Sequence, residues 1–232
     1  MKKICSVLLI LCLILVWAPA AFADQSFKTP VCELYSVDGY YEDGVGNMNR
    51  YSYHVPLFHA SSPDAKALNA EIAERFGARV EAMFQCMEKG TSLWSLKTEW
   101  KSYWNGSQLF LVIISEMNGD CTDCAAYGYD FETGQRVTNE MILKQRGISE
   151  EVYLENLREK VAFMFADMVP PIPEGVKTDL THEKLLEQTL NWLDMDNPLY
   201  INQFGELETI VKIVSLAGSG WFYAFATPFV YG

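Results

Sequence analysis

The chain has 232 residues, half of them apolar, with 30 acidic against 18 basic side chains and a formal net charge of −12 at pH 7. That balance excludes nucleic acid as a partner, because phosphate binding needs clustered cations, and it favours a basic one. The length suits one domain with a real core, and after the first apolar run no segment approaches the ~18 apolar residues of a membrane span.

The chain opens MKKICSVLLILCLILVWAPAAFADQ. Lys2 and Lys3 form a basic start, Ser6 to Trp17 is nearly all apolar, and Ala21-Phe22-Ala23 is a small-x-small cleavage pattern. Residues 1–23 therefore read as a signal peptide, too short to prefer a spanning helix, with an uncleaved anchor as the alternative. Residues 24–232 are then a single domain that is secreted, periplasmic or at the cell surface, with no membrane span left after cleavage. Without Lys2 and Lys3 it carries 16 basic against 30 acidic side chains, a net charge of −14.

Val31 to Tyr41 reads as a strand, 42–49 as a turn-rich loop and Arg50 to Phe58 as the returning strand of a hairpin. Ser62-Pro63-Asp64 announces a helix: a capping hydroxyl, a proline in the first turn and a carboxylate near the positive end. Leu68, Ile72, Phe76, Val80, Phe84 and Met87 share one face of it, and Gly90 ends it. Asn105-Gly106 between two apolar-rich runs is a hairpin turn. Leu109 to Ile114 is continuously apolar, as suits a central strand covered on both faces. Ala125 to Phe131 is the next strand, closed by a turn at 132–135. Ser149 caps a second helix, with Leu157, Val161, Met164, Phe165 and Met168 inward. A rigid Pro-rich connector at 170–175 leads to a third helix over 181–194, with Leu185, Leu186, Thr189 and Leu193 inward. Residues 199–229 return to strands, with a turn at 217–220. The order ββ-α-βββ-αα-βββ predicts an α+β fold: a mostly antiparallel sheet with about three helices packed on one face.

This layout resembles the extracellular domain shared by the lysozyme-sensing anti-sigma factor RsiV and the non-catalytic part of the peptidoglycan deacetylase PdaC. The residues that carry the resemblance are YSYHVPLF (51–58) followed by the helix with ALNAEI (67–72), LFLVIISEMNGD (109–120) with YGYDFETGQRVTNEMIL (127–143), and PLYINQFGELETIV (198–211). The family's turn has Phe before Asp and a closing Lys. Here Asp130 precedes Phe131, and Gln135 stands in the Lys position. The resemblance implies an α+β fold and a surface or secreted binding role, toward lysozyme in the anti-sigma case. A sigma-binding segment and a deacetylase metal motif are both missing from the sequence, so signalling and deacetylation are not expected.

Four cysteines follow the leader: Cys32, Cys86, Cys121 and Cys124. An even number in an exported chain reads as disulfides, with Cys121–Cys124 and Cys32–Cys86 the first of three pairings. The alternative is a secreted enzyme or thiol–disulfide protein using the Cys121/Cys124 loop. Asp120 and Asp123 beside the thiols oppose that, because nearby negative charge raises a thiol pKa. The spacing of Cys32 and Cys86 is not that of a zinc-ribbon pair. His54, His59 and His182 make no ligand pair by spacing, and Ser219 lacks the nucleophile elbow. The segment 194–198, DMDNP, lacks the full calcium-loop pattern and reads as a helix end with a turn. No catalytic residue, metal or cofactor is assigned. Glu116, Asp120 and Asp123 cluster near one loop with Tyr127 and form the candidate binding patch. The aromatics Trp94, Trp100, Tyr103 and Trp104, with the tyrosines at 40–41 and at 51 and 53, offer a face for sugar or protein. The functional expectation is an exported, non-catalytic binding domain for a basic wall-acting protein such as lysozyme or for a cell-wall glycan.

Overall fold

The computed structural model describes residues 29–89, 96–117, 120–172, 178–216 and 220–229. Residues 1–23, which read as a signal peptide in the sequence, lie outside the described residues with Gly90, Trp94, Ser219, part of the Pro-rich connector and most of the 217–220 turn.

Nine strands form two sheets among the described residues. β1 (Val31–Glu42) and β2 (Met48–Phe58) make the expected hairpin. β3 (Leu96–Asn105) and β4 (Gln108–Met117) turn at Asn105-Gly106, where Gly106 takes φ 61°. β5 (Asp120–Asp130) and β6 (Gln135–Val137) complete the first sheet in the order β1-β2-β3-β4-β5-β6. Every neighbouring pair is antiparallel except β2 with β3, which run parallel over Ser52–Lys97 and Tyr53–Thr98. β7 (Leu199–Ile201), β8 (Leu207–Val214) and β9 (Trp221–Ala226) form a separate antiparallel sheet.

The first helical segment runs through α1 (Pro63–Ile72), a π-helical stretch Ala73–Gly77 and α2 (Ala78–Glu88). The Ser62 hydroxyl accepts from the Ala65 N–H, as the sequence predicts. Asn69 pins this segment to β2: its amide accepts from the Phe58 N–H at 2.8 Å and donates to the Phe58 carbonyl at 2.9 Å. α3 (Asn139–Arg146), α4 (Glu150–Met168) and α5 (His182–Asn191) follow, capped by Thr138, Ser149 and Thr181. α3 and β6 are not among the elements expected from the sequence. Met168, expected inward, is exposed.

The expectation of helices on one face gives way to two covered faces. Leu109, Leu111 and Ile113 of β4 join Val55, Phe58, Leu68, Ile72, Phe76 and Val80 in one core. Phe110 and Val112 of the same strand join Leu157, Val161, Phe165, Leu185 and the β8 residues Ile210 and Val211 in the other. A continuous apolar strand demands this, because alternate side chains leave on opposite sides and each must be buried. Gly128 on β5 makes the second layer fit closely: a Cβ there would stand 2.9 Å from Phe110 Cε1 and from Val137 Cβ.

Two buried tyrosines test this packing. The Tyr53 hydroxyl lies in the first core without a hydrogen-bond partner, whereas the Tyr153 and Thr209 hydroxyls share a bond of 2.9 Å in the second. Tyr53→Phe is expected to stabilise the fold by about 1 kcal/mol and Tyr153→Phe to destabilise it by about the same amount. Urea denaturation of the two variants checks the opposite signs.

Candidate functional site

The organising feature is an irregularity in β5. Its register with β4 pairs Ser115 with Asp123 but Glu116 with Cys121, so Thr122 is an extra residue, a β-bulge. The Thr122 hydroxyl donates to the Ser115 carbonyl at 3.3 Å. One extra residue reverses the alternation of side chains. Strict alternation would put Cys121 on the side of Asp123 and Ala125. With the bulge, Cys121 and Cys124 both pack in the core of α4 and α5, and Ala125, Tyr127 and Tyr129 enter the other.

Asp123 is then aimed at the first helical segment. The Arg75 guanidinium donates through Nε to both carboxylate oxygens, at 3.2 and 3.1 Å, and through Nη2 to Oδ1 at 2.6 Å. Nη2 also reaches the Cys124 carbonyl at 3.2 Å. Arg79 approaches Oδ2 at 3.3 Å, and the Tyr223 hydroxyl of β9 donates to Oδ1 at 3.3 Å. Burial alone would push the Asp123 carboxyl up, but Arg75, then Arg79 and Tyr223, outweigh it and hold it below the usual carboxylate range. Arg75 sits in the π-helical stretch, where one widened turn shifts the phase of the helix.

Arg75 also lines two open cavities. The first, of about 510 Å³, is lined by Glu71, Tyr127, Arg136 and Asn139. Arg136 holds Glu71 through two bonds of 2.7 and 3.0 Å, and burial raises the Tyr127 hydroxyl pKa. The second, of about 570 Å³, is lined by Cys124, Trp192, Asp194, Lys212, Trp221 and Tyr223. Lys212 Nζ stands 4.6 Å from the Trp221 ring centre and 5.6 Å from that of Tyr223. The two cavities share Arg75, Asp196 and Pro198. Asn139 sets the loop between them: it donates to the Met195 and Asn197 carbonyls at 2.6 and 2.9 Å and accepts from the Leu199 N–H at 3.2 Å.

Of the residues expected to form an acidic patch, the structure brings Asp123 and Tyr127 to Arg75. Glu116 lies on β4 at 4.0 Å from Lys97, and Asp120 is exposed at the start of β5; neither lines either of these two cavities. Within that patch Asp123 stands in a clamp, its charge met by two guanidinium groups. The cysteine loop is corrected to a strand, since Cys121 and Cys124 lie inside β5. No disulfide joins Cys32, Cys86, Cys121 or Cys124. Cys32 is exposed on β1 and directs its thiol to the Leu57 carbonyl at 3.8 Å. The Cys121 and Cys124 thiols share a hydrogen bond, which lowers the Cys121 pKa against burial and the weaker push of the Glu116 and Asp123 charges. Cys124 is raised by the same bond and by burial.

His54, which sequence spacing leaves alone, has cross-strand partners: Asp38 at 3.1 Å from Nε2, Glu33 at 3.3 Å and Ser36 at 3.5 Å from Nδ1. Trp100 Nε1 donates to Glu33 at 2.8 Å. The group lies on the outer face of the β1–β2 hairpin, apart from both cavities. His182 is structural, with Nε2 at 3.0 Å from the Val169 carbonyl and its ring against Phe165. Among the described residues no group of three or more His, Cys, Asp or Glu side chains is placed to hold a metal ion. No protein-family model matches the chain, and no curated protein matches it.

Asp123 gives a pH test. Its folded pKa lies below its unfolded value, so its contribution is complete above about pH 4 and is lost as pH falls through the folded value. Asp123→Asn is expected to cost about 2 kcal/mol at neutral pH, less than for a fully buried pair because the Arg75 side chain is 41% exposed. Urea midpoints between pH 6 and pH 2 check both points: the variant starts lower and declines less steeply below about pH 4.

Proposed function

We propose that the chain is an exported, non-catalytic binding domain that holds a cell-wall glycan along the paired cavities beside Arg75, with the site secreted, periplasmic or at the cell surface. The observation that carries this reading is the wall of the second cavity, where Trp192, Trp221 and Tyr223 stand with Lys212 among carboxylates and amides. Aromatic faces take the C–H faces of sugar rings, and a few fixed polar groups orient the hydroxyls and any acidic substituent. Asp194 and Asp196 supply acceptors from a loop ordered by its own bonds, with the Asp194 N–H donating to Asn197 Oδ1 at 2.8 Å and the Asp196 N–H to Asp194 Oδ1 at 2.9 Å. Both cavities are clefts of the size small-ligand sites use, about 300–1,000 Å³. The N-terminal signal supports export, and the resemblance to the RsiV and PdaC extracellular domain supports a binding role.

A second reading, recognition of a basic wall-acting protein such as lysozyme, is favoured by the net charge of −12. Its expected centre, the 116–123 acidic patch, is where Asp123 is already neutralised.

Tryptophan emission during titration with soluble peptidoglycan fragments and N-acetylglucosamine oligomers tests the first reading. A saturable change is expected, and Trp221→Ala should weaken binding about tenfold or more. No emission change, together with salt-sensitive capture of lysozyme that Trp221→Ala leaves intact, would replace the glycan with the basic protein.

A further inference from the structure

A backbone device places two of the described cysteines, Cys121 and Cys124, together. We propose that Cys121 and Cys124 form a dithiol–disulfide exchange pair acting on small-molecule disulfides, with Cys121 attacking and Cys124 resolving. The proposal rests on β5 and not on the aromatic wall, although Cys124 also lines the second cavity, and its test reads sulfur exchange rather than glycan binding.

Three observations carry it. The first is the bulge at Thr122, which brings the two sulfurs to one face of the strand; in a regular strand, residues three apart point to opposite faces. The second is the unequal accessibility of the sulfurs. Cys121 is half-buried, while Cys124 is 1% exposed. An exchange pair needs this asymmetry: a reachable thiol to attack an outside disulfide, and a shielded one that meets only the mixed disulfide. The third is the set of donors and charges around them. The Cys121 thiol pKa is lowered, with the hydrogen bond between the two thiols as its first cause. Arg75 holds the Cys124 carbonyl at 3.2 Å and neutralises the intervening Asp123. The Cys121 thiol donates to the Asp123 carbonyl at 3.6 Å, a bond it gives up when the thiolate forms.

The chemistry balances with an external disulfide as the oxidant. Cys121 releases its proton, and its thiolate attacks one sulfur of R–S–S–R. A Cys121–S–S–R bond forms, the outside S–S bond breaks, and the departing thiolate takes up a proton. Cys124 then loses its proton and attacks the Cys121 sulfur. The Cys121–Cys124 bond forms and the second R–S⁻ leaves, to be protonated in turn. Two protein thiols are oxidised and one outside disulfide is reduced to two thiols. With a reducing dithiol the sequence runs backward. The closed ring contains Thr122 and Asp123, so oxidation closes a crosslink across the bulge.

The experiment uses the reduced full chain with oxidised glutathione, acid quenching and peptide mapping by mass spectrometry. A Cys121–Cys124 crosslink is expected in the native chain. Cys124→Ser should accumulate a glutathione adduct at Cys121, and Cys121→Ser should leave Cys124 unmodified while folded. Native-state iodoacetamide labelling should modify Cys121 about tenfold faster than Cys124 at pH 7. Circular dichroism establishes that the variants fold; if Cys124→Ser does not, the labelling rates of the unsubstituted chain decide. Labelling of Cys121 no faster than of Cys124, or a folded Cys124→Ser chain without an adduct at Cys121, would overturn the proposal.

Discussion

The ion pair between Arg75 and Asp123 joins parts of the chain that nothing local brings together. The residues are 48 positions apart. One lies in the π-helical stretch over the first core, the other at the bulge of β5, and Tyr223 of the second sheet bonds the same carboxylate. The Asp123 side chain is 8% exposed, so an unpaired charge there would cost several kcal/mol. The clamp is thus a condition of the bulge: a strand that turns a carboxylate inward needs cations waiting for it. It also spans three elements that separate cores could otherwise leave loosely docked.

What lies around the clamp inherits its geometry. The bulge reverses the phase of β5, which sends Cys121 to the side of Cys124 and leaves Tyr127 toward Arg75 and the first cavity. The same guanidinium borders the second cavity, where Lys212 rests over Trp221 and Tyr223. Recognition and sulfur chemistry are therefore neighbours that meet at Cys124 and Arg75, both of which line the second cavity. The aromatic wall is built by β8, β9 and the end of α5, while the thiols belong to β5.

The parts of the fold visible in the sequence are those set by local chemistry. Ser62 and Ser149 cap helices because a side-chain oxygen meets an N–H three residues on, and Thr181, read as the start of the third helix, does the same. Asn105-Gly106 makes its turn for a similarly short-range reason. The run Leu109 to Ile114 announces a strand covered on both sides, and that alone requires two layers of cover where one helical face was expected. α3 is short and weakly patterned, so its cap at Thr138 and its stop at Gly147 are its clearest marks. The candidate site was less legible because register decides it. Asp123 reads as part of an acidic patch until Arg75 and Arg79 are placed beside it, and two cysteines in a strand read as a loop until Thr122 is seen to be extra. His54 is isolated in the sequence and meets Glu33 and Asp38 only across a strand pair.

A double-mutant cycle between Arg75 and Asp123 tests the central claim most directly. Arg75→Met, Asp123→Asn and the double variant would each be unfolded in urea beside the natural chain. The account predicts a coupling energy of about 1–3 kcal/mol, well above that of an exposed ion pair. Additive single effects, with a coupling within about 0.3 kcal/mol of zero, would contradict it.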